Sequence, residues 1–213
     1  MKRTRTGVVV MVLMAVMLVA GVAFAAGGTE MTVTDTQSVQ WFADGTDTGG
    51  YSYLTRTSDE LLLSAEAQDL IPGNAYTVWW VVFNNPEACS APGCSEDDIF
   101  GEDGNLNVEG VIAAGIAVGN ATANVAKANG TAEFGARLKK GDTMSDHQIL
   151  FPSGLAGGAL LTAMPGDAEI HLIFQDHGQA RGGPELLNQL TYVETGCTPF
   201  CDDVQFSVFP ALP

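Results

Sequence analysis

Basic side chains are scarce in this chain: nine Lys and Arg stand against 25 Asp and Glu, a formal net charge of −16 over 213 residues. Nucleic acid and anionic lipid need a basic patch on their partner. The one basic cluster, Arg137, Lys139 and Lys140, is too small to supply it, so both are excluded as partners. Histidine is scarcer still, with only His147, His171 and His177. The H-E-x-x-H zinc motif, the G-x-S-x-G nucleophile elbow and the phosphate-cradling glycine loop are missing, and Ser153 in Phe151-Pro152-Ser153-Gly154 lacks the elbow spacing. These absences point away from an enzyme, although a site assembled from distant segments leaves no such local signature. Amphipathic helical periodicity is almost lacking, and beyond the N-terminal segment no apolar run is long enough to span a bilayer.

That N-terminal segment has the pattern of a processing signal. Lys2, Arg3 and Arg5 precede an almost wholly apolar stretch over 7–20, and Ala23-Phe24-Ala25 offers small residues at the cleavage positions. The pattern predicts a signal peptide over 1–25 and a mature domain over 26–213, secreted or periplasmic; a retained membrane anchor is the rival reading. Cleavage leaves 188 residues, enough for one domain with a real core, carrying six basic against 25 acidic side chains. Such acidity suits calcium, salty surroundings or plain solubility.

Residues 72–86 organise the rest. A Pro-Gly-Asn turn leads into Ala75-Tyr76-Thr77-Val78-Trp79-Trp80-Val81-Val82-Phe83, closed by Asn-Asn-Pro. A short run of β-branched and aromatic residues between breakers reads as a buried strand. Its odd and even positions are both apolar, so one face fills a core and the other must be covered by a loop, a second layer or a partner. Strands are expected over 31–42, 51–55, 61–67, 108–118, 130–138, 168–175 and 203–209, with a short helix or loose loop over 120–129 and a helical turn or two over 184–190. Strand–turn–strand spacing before residue 83 suggests antiparallel pairing, and Gly110, Gly115 and Gly119 suggest close packing. About eight short strands with Gly/Pro turns and long loops describe a β-sandwich or a Greek-key barrel, and an all-β, single antiparallel Greek-key β-sandwich is the expectation.

Three blocks carry a family likeness: the turn into the central strand, Asn129-Gly130-Thr131-Ala132-Glu133-Phe134, and Gly166-Asp167-Ala168-Glu169-Ile170-His171 through Gly182-Gly183. Their order over 61–183 resembles the chordin-type domain, a sandwich related to copper/zinc superoxide dismutase. Members of that kind usually carry histidines on the strand matching 76–82, and this chain has none there. The resemblance therefore implies the fold and does not carry copper ligation over to that strand.

Four cysteines fall as two close pairs, Cys89 with Cys94 and Cys197 with Cys201. In an exported chain they read as disulfides, pairing locally or across the two loops, with a four-cysteine zinc site as the alternative. A hard-ion reading attaches to the loop bearing Asp97, Asp98, Glu102, Asp103, Asn105, Asn107 and Glu109, whose oxygens suit calcium. Asp103, Asn105 and Asn107 start like an EF-hand, but Val108 replaces the turn glycine and Ala114 the bidentate Glu, so a solvated acidic loop is the competing reading. His171 and His177 share a strand face by period two, yet six extended residues set them about 20 Å apart, so copper or zinc there needs a sharp bend. Tyr76 and Trp80 share one face of the central strand: a sugar-stacking platform if open, a core if closed. The expectation is a non-catalytic envelope or surface protein acting by binding or structure, its partner a protein or a glycan. Metal binding is the alternative, with calcium the first cofactor to consider.

Overall fold

Alternation along the early strands shows how local pattern becomes sheet. The computed structural model describes residues 32–101, 103–144, 148, 150, 159–192 and 201–213; the expected signal peptide lies outside them. Strands β1 (Val33–Trp41), β2 (Asp47–Arg56) and β3 (Glu60–Ala67) form an antiparallel meander. Thr48, Ser52, Leu54 and Arg56 of β2, with Leu61, Leu63, Ala65 and Ala67 of β3, point inward, while Tyr51, Tyr53, Leu62, Ser64 and Glu66 point to solvent. Successive strand side chains face opposite ways, so a period of two buries one face.

The remaining strands are β4 (Asn74–Phe83), β5 (Ile116–Val125), β6 (Ala132–Lys139), β7 (Glu169–Gln179) and β8 (Asp202–Phe209), with two short helices, α1 (Val108–Ala113) and α2 (Pro184–Thr191). All eight strands lie in one antiparallel sheet in the order β5-β4-β7-β8-β1-β2-β3-β6. The all-β expectation is met. The sheet curls on itself: Phe134 of β6 meets Phe174 of β7 edge to face, ring centroids 5.5 Å apart, though four strands separate them in the sheet. Its two edge strands, β5 and β6, are joined by a tight turn, and the Asn124 side-chain amide donates to the Glu133 carbonyl at 2.8 Å across them. The result is nearly a barrel. In that turn Gly130 adopts φ +75°, and a Cβ there would meet the Leu70 carbonyl oxygen at 2.9 Å.

β4 is buried along its whole length. Tyr76, Val78, Trp80 and Val82 fill the interior with Ile170, Leu172 and Phe174 of β7, Phe134 and Leu138 of β6, and Phe209 of β8. Trp79, Val81 and Phe83 face the other way, into a second cluster with Cys94, Ile99, Val111, Ala114, Ile116 and Val118. The chain covers its own central strand: residues 86–114, not a partner, form the outer layer.

Three local expectations are corrected. The strand expected over 108–118 begins as helix α1, because the Asn107 side chain caps the Gly110 N–H at 3.0 Å. Gly115 at φ +59° then turns the chain into β5. Residues 120–125, expected as helix or loop, extend β5 because they pair with β4 from Ala75 to Trp79. β3 and β4 follow each other in sequence but do not pair; β3 lies against β6 and β4 between β5 and β7. The close-packing reading of Gly119 is met, since a Cβ there would come within 2.9 Å of both Leu160 and Met144.

One end of the barrel is held by a buried cation. Arg56 is 2 % exposed and donates through its terminal nitrogens to the carbonyls of Pro165, Ala168, Phe209 and Pro210. Its Nε lies 3.5 Å from an Asp35 carboxylate oxygen. Desolvation pulls the guanidinium pKa down, and the charges of Asp35 and Glu169 oppose it. The chain ends before β7 and after β8 are thereby tied to β2.

Candidate binding cleft

Between the outer face of the sheet and the covering segment lies a cleft of about 370 Å³. Its floor is Trp79 and Val81 of β4, His171, Ile173 and Gln175 of β7, and Phe206 and Val208 of β8; Ile99 and Phe100 overhang it, and Phe42 stands at its side. The walls are mostly apolar, and Glu96 and Asp203 carry carboxylates into the lining.

The covering segment is shaped by its own polar groups. Cys89 and Cys94 are disulfide-bonded, meeting the local-pairing expectation for that pair. Asp98 is buried, and its carboxylate accepts the N–H groups of Ser90 at 2.7 Å and Ser95 at 2.9 Å. Burial alone would raise the Asp98 pKa, but these donors outweigh it and hold the group below the ordinary carboxylate value. The segment is fastened to the sheet by Glu169, one oxygen of which accepts both the Cys94 N–H and His171 Nε2, each at 2.8 Å. His171 also packs on Phe83, ring centroids 4.8 Å apart. A carboxylate only accepts, so in the neutral ring the Nε2 proton goes to Glu169 and Nδ1 is left as an acceptor.

The polar mouth is organised by Asp203. The Gln175 amide donates to its carboxylate at 3.2 Å. Protein crowding its inner side, then the charges of Glu96 and Asp202, push its pKa up to about 6 against the lowering effect of Gln175. Its outer edge is open to solvent, which keeps water in reach of the charged form and moderates that rise. The Gln175 carbonyl oxygen is buried and finds no donor among the described residues.

The residues singled out for metal are not brought together. Asp98 is spent on loop N–H groups, Asp103 accepts from Asn105 N–H and side-chain amide, Asn107 caps α1, and Asp97 and Glu109 face solvent. Glu102 lies outside the described residues. Among the described residues, the one group of His, Cys, Asp or Glu close enough to share an ion is Cys89, Cys94 and Asp98, whose two sulfurs are already bonded to each other.

The two strand histidines also serve separate networks. His177 is 1 % exposed, with Nδ1 3.3 Å from Cys201 Sγ and Nε2 2.8 Å from the Thr77 hydroxyl. Cys201 is disulfide-bonded, and a disulfide sulfur has no proton to give. Nδ1 of His177 therefore carries the hydrogen and Nε2 accepts from Thr77, which in turn accepts from Trp79 Nε1–H at 2.7 Å. Cys197 and His147 lie outside the described residues.

The sugar-platform reading of Tyr76 and Trp80 is corrected. Both rings are interior, 2 % and 0 % exposed, because the even face of β4 is the barrel's inside. The Tyr76 hydroxyl donates to Asp176 and accepts from Ile71 N–H, and burial first of all pushes its pKa above the ordinary value. Exposed aromatics stand elsewhere, at Tyr51 and Tyr53 on β2 and at Phe42 just after β1.

Sequence reasoning passed over Asp203, Gln175, Glu96, Phe42 and Phe206. Two signals were available: the alternation of the last strand, which sets Phe206 and Val208 on the face opposite Ser207 and Phe209, and the period-two face that Gln175 shares with His171 and Ile173. No protein-family model matches the chain, and no curated protein or solved structure is significantly similar to it.

Proposed function

We propose that this chain is an exported, non-catalytic binding protein of Greek-key β-fold that holds a small, largely apolar molecule in the cleft between β4–β7–β8 and the covering segment. The cleft itself carries the reading: at about 370 Å³ it falls in the lower part of the range of small-molecule sites, and it pairs apolar walls with a few polar groups at one end. His171 and Glu169 are its nearest approach to general-base chemistry, and they are engaged with each other, Glu169 also holding the Cys94 N–H of the covering segment, which favours binding over turnover.

The strand order supports the Greek-key assignment. β4, β5 and β6 run consecutively and β7 returns to lie beside β4, which is the four-strand key pattern once the β5 and β6 edges meet. It is compatible with the chordin-type resemblance. The Cys89–Cys94 bond supports an oxidising compartment. No helix among the described residues is long and apolar enough to cross a membrane.

The neutral fluorescent probe N-phenylnaphthylamine tests the reading. Saturable binding at one site is expected, weakened at least about tenfold by Val208→Trp, which fills the cleft from its floor. Failure of the probe to bind, or binding indifferent to Val208→Trp in a folded variant, would overturn it.

A further inference from the structure

The polar groups lining the cleft are unbalanced in one direction: they accept. Glu96 and Asp203 are carboxylates, Gln175 has an amide N–H committed to Asp203 and a buried carbonyl oxygen with no donor among the described residues, and His171 has its Nε2 side committed to Glu169. Ser95 alone among the lining side chains keeps a hydroxyl proton, and no Lys or Arg is among the described lining residues. Among the described residues of the cleft, then, acceptors and negative charge outnumber donors and stand without a matching cation.

The apolar lining has a matching character. Phe42, Trp79, Phe100 and Phe206 are all part of it, and Phe42 meets Phe206 edge to face with centroids 5.9 Å apart. Aromatic faces attract cations through their quadrupoles, most strongly where water is excluded. A metal ion would satisfy the charge but not the geometry. Glu96, Asp202, Asp203 and His171 do not converge as an ion requires, since the one convergent group among the described residues is the disulfide pair with Asp98.

Resting on the cleft reading above, we infer that its occupant is an organic monocation: an alkyl- or arylalkylammonium whose apolar body lies against Trp79, Ile173 and Phe206 while its nitrogen donates toward Asp203 and Glu96. The ligand supplies the donors the cleft lacks. Its hydrocarbon part is bounded by the cleft's volume of about 370 Å³, which a single ring on a short chain enters with room to spare.

Three near-isosteric probes separate charge from shape: phenethylamine, phenethyl alcohol and phenylacetate, titrated calorimetrically into the mature oxidised protein at about pH 7.5, where the amine is protonated. The ammonium is expected to bind at least about tenfold tighter than the alcohol, and the carboxylate not measurably. Asp203→Asn combined with Glu96→Gln should abolish that preference, so that ammonium and alcohol bind alike, in a variant whose cooperative urea transition shows it folded; a preference that survives in that folded variant also overturns the cation inference. Equal binding of alcohol and ammonium overturns the cation inference and leaves the cleft standing, as does binding of N-phenylnaphthylamine with all three probes inert. Loss of N-phenylnaphthylamine binding as well overturns the cleft reading itself.

Discussion

Asp203 and Asp98 are two carboxylates whose surroundings push them in opposite directions, and each leaves a different mark on pH dependence. The Asp203 pKa rises from 3.8 to about 6, so the folded protein holds that proton more tightly than the unfolded chain does. Stability therefore falls as pH rises from about 4 through 6. Asp98 is held low by the N–H groups of Ser90 and Ser95, so its contribution is present above the ordinary carboxylate pKa and lost on acidification. Asp203→Asn should remove the first slope and leave the second, raising the denaturation midpoint at neutral pH. Urea titrations of both proteins across that range check this, and parallel pH profiles would refute it. Ligand binding runs the other way. Asp203 has beside it Asp202 on its own strand, Glu96 on the covering segment and Gln175 on β7, while His171 lines the same cleft further along β7, opposite Val208. Protonating Asp203 strips charge from the mouth, so ammonium affinity should drop as pH falls through 6. The Asp203→Asn variant isolates this dependence.

β4 carries two cores on one strand, and its adjacent tryptophans report on them separately. Trp80 is fully buried in the barrel, and truncating such a side chain to Ala costs about 3–5 kcal/mol, a large part of a domain's stability. Trp79 lies in the outer cluster, and its indole N–H holds Thr77 in place against His177. Trp80→Ala should unfold the protein or shift its midpoint severely. Trp79→Ala should leave a cooperative fold and strike the cleft, seen as lost N-phenylnaphthylamine binding. Similar losses in both variants would mean that the two clusters are one cooperative core. The doubly apolar strand was legible in the sequence, and so was its need for a second cover. What covers it was not. α1 has six residues, too few to display helical periodicity, and Gly110 and Gly115 read as strand punctuation. Its start signal was Asn107, which looked like an ion ligand and is an N-cap. A side-chain oxygen near acidic residues has both readings until the following N–H groups are placed.

At the scale of the whole molecule, alternation made the class and most strands legible, while the sheet order was not. Neighbours such as β3 and β6 or β1 and β8 are far apart in the chain, and nothing local encodes their pairing. The cleft inherits that difficulty, since its lining runs from Phe42 to Val208 and exists only because β7 returns between β4 and β8. The Cys89–Cys94 bond shows how barrel and cover divide the work. It closes a loop of sequence separation 5, for which chain entropy gives only about 2 kcal/mol of stabilisation. The barrel's strands and the Arg56 tie do not pass through it. Its leverage is local: it shapes the turn in which Cys94 N–H reaches Glu169 and Ser95 and Glu96 reach the cleft. Replacing Cys89 and Cys94 together by Ser should lower the urea midpoint modestly, with the transition still cooperative, yet weaken N-phenylnaphthylamine binding about tenfold or more by loosening the cover. Collapse of the whole fold would make the disulfide a global staple. Unchanged probe binding would mean that the cover is held by Asp98 and Glu169 alone.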